Sequence, residues 1–74
     1  MKISYDPTTD SAYIKLSDKK YELTKKISND ILVDYDNKNN PLGIEILSVK
    51  DNIPSFNTNE VSLSIVQNIK HNTK

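Results

Sequence analysis

Across residues 31–47, apolar and polar positions alternate in two runs, Ile-Leu-Val-Asp-Tyr and Leu-Gly-Ile-Glu-Ile-Leu, separated by the polar stretch around Asn37-Lys38-Asn39-Asn40. A period of two interrupted by a short polar loop predicts a β-hairpin. With the tetrad as the loop, Tyr35 faces Leu42, Val33 faces Ile44 and Ile31 faces Ile46, so one side of the hairpin is wholly apolar. The other side then carries Asp36 with Pro41, Asp34 with Gly43 and Leu32 with Glu45. A slip of one residue would mix carboxylates into the apolar set, so the register is well specified. Asn accepts positive φ more readily than most residues, which suits three of them to the reversal. Gly43, opposite Asp34, leaves room for another element to approach the backbone.

The same period appears at the N-terminus. Ile3 and Tyr5 alternate with Lys2 and Ser4, Asp6-Pro7-Thr8-Thr9-Asp10-Ser11 supplies turn chemistry, and Ala12, Ile14 and Leu16 alternate with Tyr13 and Lys15. The predicted pairs are Tyr5 with Ala12, Ile3 with Ile14 and Met1 with Leu16. Asp6 precedes Pro7, which disfavours helix there, and its carboxylate is placed to accept a nearby backbone N–H. Tyr21, Leu23 and Ile27 give a weaker strand signal interrupted by Lys25-Lys26, and Ser28-Asn29-Asp30 reverses the chain into the strand at Ile31. The expected fold is mainly β, with α+β as the alternative: an antiparallel meander of four to five strands in which sequential strands are neighbours.

Beyond Ser48 the pattern weakens to a linker-like loop with Ile53, Pro54 and Phe56 as isolated apolar anchors. Residues 60–69 read two ways. Val61, Leu63 and Ile65 alternate as in a strand, whereas Val61, Ile65, Val66 and Ile69 share a helical face that Asn57 and Glu60 would cap. β-Branched content and the two serines favour the strand. Either way the segment is expected to pack on a face or edge of the sheet.

A chain of 74 residues makes one small domain, and chains of this size bury only about 60% of their unfolded surface. With no cysteine and hydrophobic residues at 35%, neither disulfides nor a large core supplies stability. Self-association as a homodimer through a shared apolar patch is the expected supplement. His71 lies in a polar tail and is read as solvated rather than as a ligand. Ten lysines balance ten acidic residues and arginine is absent, so direct nucleic-acid binding is not expected. Lys19, Lys20, Lys25 and Lys26 are read as a solvated, aggregation-resistant edge. No stretch has the length of a membrane span or the apolar core of a signal peptide, and a cytoplasmic protein without membrane partners is expected.

Chemistry is sparse. Asp34 and Asp36 share a strand face in the predicted register, and Tyr5, Asp6 and Asp10 group around the first turn. These five residues are the candidates for a cation or small ligand. Residues two apart on a strand are roughly 6.5–7 Å apart, however, and oxygen ligands of one ion must converge. No catalytic constellation is visible, so an enzyme is not expected, and no cofactor is implied. Tyr13 lies on the nominally polar side of its strand, where a large ring either meets the C-terminal segment or, with Lys15, forms a contact surface.

Two stretches carry a family resemblance: Met1-Lys2-Ile3-Ser4-Tyr5-Asp6 leading to Asp10-Ser11-Ala12-Tyr13-Ile14-Lys15-Leu16-Ser17, and Asp34-Tyr35-Asp36 leading to Leu42-Gly43-Ile44-Glu45-Ile46-Leu47. In order and spacing they resemble the small prokaryotic proteins grouped as domain of unknown function 2283. The resemblance covers residues 1–49 and leaves 50–74 as an extension. The family commonly has Gly where this chain has Asn39-Asn40-Pro41, and Ala at the position of Ser11. The resemblance brings no catalytic residues. Some members resemble partners of adjacent small toxin-like proteins, so the resemblance implies an antitoxin-like or other protein-binding role.

Overall fold

The computed structural model describes residues 1–66. Five strands, β1 (Lys2–Asp6), β2 (Ser11–Lys15), β3 (Leu23–Ser28), β4 (Ile31–Tyr35) and β5 (Pro41–Ile46), form one antiparallel sheet, followed by a single helical turn, α1 (Val49–Asn52). The expected mainly β architecture is therefore present. Strand order is β1-β2-β5-β4-β3, so β3, β4 and β5 form a meander while β2 pairs with β5 rather than with its sequence neighbour β3.

This order follows from which strand best tolerates water. A strict meander would put the lysine-bearing β3 in the middle; the observed order puts it at the edge, where every one of its residues is exposed. It gives the centre to β5, whose Leu42 and Gly43 are buried. The 16–22 connection makes the crossing possible. Leu16 N–H and Ser17 N–H both donate to the Leu42 carbonyl, and Glu22 N–H donates to that of Tyr35, so the chain is tethered across the sheet end on its way to β3.

Most of the predicted register is found. Ile31 pairs with Ile46, Val33 with Ile44, Asp34 with Gly43 and Leu32 with Glu45. Tyr35 pairs with Pro41 instead of Leu42, because a bulge between Asp34 and Tyr35 displaces the last pair. Asp36 accordingly does not face Pro41: its N–H donates to the Asn40 carbonyl and its carboxylate turns into the loop, where Asn39 adopts φ 65°. In the first hairpin Ile3–Ile14 and Tyr5–Ala12 pair as expected. Asp6 and Ser11 also pair, shortening the loop to residues 7–10, and the ladder ends at Lys2–Lys15, short of Met1 and Leu16. The Asp6 carboxylate accepts the Thr8 N–H at 2.9 Å, as its place before Pro7 predicts.

The helical turn among the described residues lies at Val49–Asn52. Residues 60–66 are neither strand nor helix; 67–69 and His71 lie outside the described residues. The Asn57 side chain accepts the Asn59 N–H, and Glu60 N–H donates to the Asn57 carbonyl, which closes a turn rather than capping a helix.

Candidate functional site

The pairings sort the sheet into two faces. On one, the row Ile3–Ile14–Ile44–Val33–Lys25 crosses all five strands, flanked by the row Tyr5–Ala12–Ile46–Ile31. On the other lie Ser4, Tyr13, Glu45, Leu32 and Lys26 in one row and Lys2, Lys15, Gly43, Asp34 and Thr24 in the next.

The apolar face is covered at one end by the chain that follows β5. After β5 the chain turns back through Ser48, at φ 49°, into α1. Val49 N–H donates to the Asp10 carbonyl, and Val49 is the one fully enclosed large side chain among the described residues. Phe56 then rests on the Tyr5 ring with centroids 5.2 Å apart. Ile53, Ile31, Ile46 and Asn52 border an open hollow of about 480 Å³ at this end. At the other end Leu42 is buried where the 16–22 connection crosses, and between the two ends the face keeps apolar surface in solvent. Ile3 is 46% exposed, Leu23 40% and Ile31 37%, and Ile14, Ile44 and Val33 are only half-buried. The residues that the alternation assigns to a core thus form an open apolar surface. The one basic group in the middle row, Lys25, is drawn over the Tyr35 ring, 5.2 Å from its centre.

The polar face is bound to itself. Tyr13 reaches from β2 over Gly43 of β5 and donates its hydroxyl to Asp34 Oδ2 of β4 at 2.8 Å. The second carboxylate oxygen accepts the Thr24 hydroxyl of β3. Only Gly permits this: a Cβ at position 43 would overlap the Tyr13 hydroxyl and ring Cζ. The close approach expected at Gly43 is therefore made by Tyr13. Burial first, and the bond to Asp34 second, push the Tyr13 phenol up to about 12. Tyr13 thus meets the body of its own sheet. Lys15 on the same face pairs with Asp18 at 2.8 Å, in the open.

The acidic candidates sit apart, each with its own partners. Asp10, held at φ 54°, accepts the Tyr5 hydroxyl at 2.7 Å and the Lys50 N–H at 3.2 Å, tying the first turn to α1. The Tyr5 bond holds the Asp10 carboxyl below its ordinary range and, reciprocally, raises the Tyr5 phenol. Asp36 is buried and accepts the N–H groups of Lys38 and Asn40 and the Asn40 side-chain amide. Those bonds, led by the Asn40 N–H, lower its pKa. Asp6 holds its own turn and Asp34 the Tyr13–Thr24 bridge. Among the described residues no three acidic or histidine side chains converge as metal ligands would. Thr24, Asn40 and Asn52, whose amide bridges Asp30 to the Leu47 and Ser48 carbonyls, are structural partners that strand alternation does not reveal.

The fold defines a small one-sheet antiparallel β protein with one satisfied face and one open apolar face. Residues 2–50 match the family described as protein of unknown function (DUF2283), and the chain belongs to that family. No curated protein and no solved structure matches it. Among the described residues no helix is long and apolar enough to cross a membrane.

Proposed function

We propose that this protein is a small non-enzymatic protein-binding module of the cytoplasm that works as a homodimer, its apolar sheet face being the association surface. The observation that carries this reading is the five-strand row Ile3–Ile14–Ile44–Val33–Lys25, in which Ile3 is 46% exposed and Ile14, Ile44 and Val33 are only half-buried. A face about five strands wide and five residues long spans roughly 24 by 17 Å, taking strand spacing and rise at their ordinary values. With side-chain relief, two such faces bury on the order of 1,000 Å², at the threshold of a specific interface. The antitoxin-like version of the proposal adds a small toxin-like protein as the partner of the dimer; it rests on the family resemblance.

Native mass spectrometry of the tagged protein recovered from its own host tests this. A dimer, alone or with a stoichiometric second protein, is the expected species. A monomer carrying stoichiometric Ca²⁺ or Mg²⁺ would instead establish the cation-binding alternative through Tyr5, Asp6, Asp10, Asp34 and Asp36.

A further inference from the structure

The chain leaves a second apolar feature uncovered. Val61, Leu63, Ile65 and Val66 are 72–89% exposed, an unusual run of aliphatic side chains for a segment with no regular structure. The alternation Val61-Ser62-Leu63-Ser64-Ile65 is that of a strand with one apolar and one polar side. The sheet has an edge of the same length and the same alternation. β1 is five residues long and ends the sheet, with Ile3 and Tyr5 on the apolar face and Lys2, Ser4 and Asp6 on the polar one. Its outer N–H and C=O groups have no partner strand among the described residues, which makes it a template for strand addition. The opposite edge, β3, carries Lys25 and Lys26 and is the better protected of the two.

We propose that residues 61–66 are an exchange arm that adds as a sixth strand to β1 of a second copy, a reading that rests on the self-association proposed above. The turn at 57–60 favours the second copy over the arm's own sheet. Phe56 is anchored on Tyr5 of β1, so the arm starts beside its own edge, where intramolecular docking has the advantage of effective concentration. Yet a closed turn follows at once, and every residue from Val61 to Val66 is exposed, so the arm does not lie on its own edge. A second copy offers the same edge without that constraint. Two reciprocal arms make a closed two-fold contact that leaves neither β1 edge open.

Pairing antiparallel with Ser64 opposite Ser4 sets Ile65 beside Ile3 and Leu63 beside Tyr5, extending the apolar face, and puts Ser62 opposite Asp6. With Ser62 opposite Ser4, Glu60 would instead face Asp6, like charge against like. The chain has no cysteine, so a Ser4→Cys/Ser64→Cys variant reports the pairing directly: opposed residues lie at Cα separations a disulfide accepts. Under mild oxidation the double variant is expected to become a covalent dimer, while each single variant stays uncrosslinked. An intramolecular bridge, or no bridge, overturns the proposal. In a companion measurement Leu63→Pro, which removes a ladder donor, should weaken the dimer about tenfold or more. A dimer that forms equally well with Leu63→Pro overturns the arm and leaves the face-to-face reading standing; a wild-type chain that stays monomeric overturns both.

Discussion

The two faces of this sheet solve opposite problems with the same backbone. The polar face, despite its Tyr, Asp and Thr, needs nothing from outside: Tyr13, Asp34 and Thr24 satisfy one another across β2, β4 and β3, with Gly43 making room on β5. The apolar face, built from the residues that ordinarily make a core, is closed where Val49 to Phe56 fold over it and at Leu42, and leaves Ile3 and Leu23 exposed. Polarity is therefore a poor guide to which side is available. The chemically richer face is satisfied internally, and the bland aliphatic row is where apolar surface stays in solvent.

Substitutions on the two sides should separate accordingly. The largest effect on the stability of the single chain is expected at Gly43, where Ala forces the Tyr13 ring aside, breaking its bond to Asp34 and re-exposing the phenol. A loss of about 2 kcal/mol in chemical denaturation is expected, with no change in association. Tyr13→Phe should cost about 1 kcal/mol and, in a Gly43→Ala background, much less, since the bond is already gone. The raised Tyr13 pKa gives that bridge a pH limit. Its contribution is whole below the ordinary phenol value of 10.0 and is lost as pH rises toward about 12, and Tyr13→Phe should abolish the corresponding late absorbance change. Smallest is the acid response of Asp36 and Asp10. Both have folded pKa values below the ordinary 3.8, so their stabilisation is present above that value and lost as pH falls through the lowered ones. Asp36→Asn should flatten the acid limb of a stability–pH profile.

How much of this is legible in the sequence depends on the range of the interaction. Register within each hairpin is local, and the period of two places Val33 against Ile44 and Ile3 against Ile14 correctly. The Asp34–Tyr35 bulge defeats it at Tyr35, since a displaced residue leaves no mark in an alternation. The partner of β2 is a non-local choice. Lys25 and Lys26 signal that β3 belongs at an edge, but nothing local says that β5 takes the vacated place. The Tyr13 bridge is diagonal across two strands and so escapes pairwise reasoning, although Gly43 opposite Asp34 marks where it passes. The carboxylates invite a ligand reading in sequence because half of their partners are backbone N–H groups, which composition does not display. Residues 60–66 resist assignment for a different reason: among the described residues no neighbour fixes them as strand or helix.

The central claim, that the open aliphatic face associates, is tested most directly by sedimentation equilibrium of the wild-type chain beside an Ile3→Lys/Ile31→Lys variant. Both positions are more than a third exposed in the single chain, so the variant is expected to keep its fold, which circular dichroism checks. The account predicts a wild-type dimer at micromolar concentration and a folded, monomeric variant. A wild-type monomer over the whole concentration range, or a variant that dimerises as tightly as wild type, would contradict it.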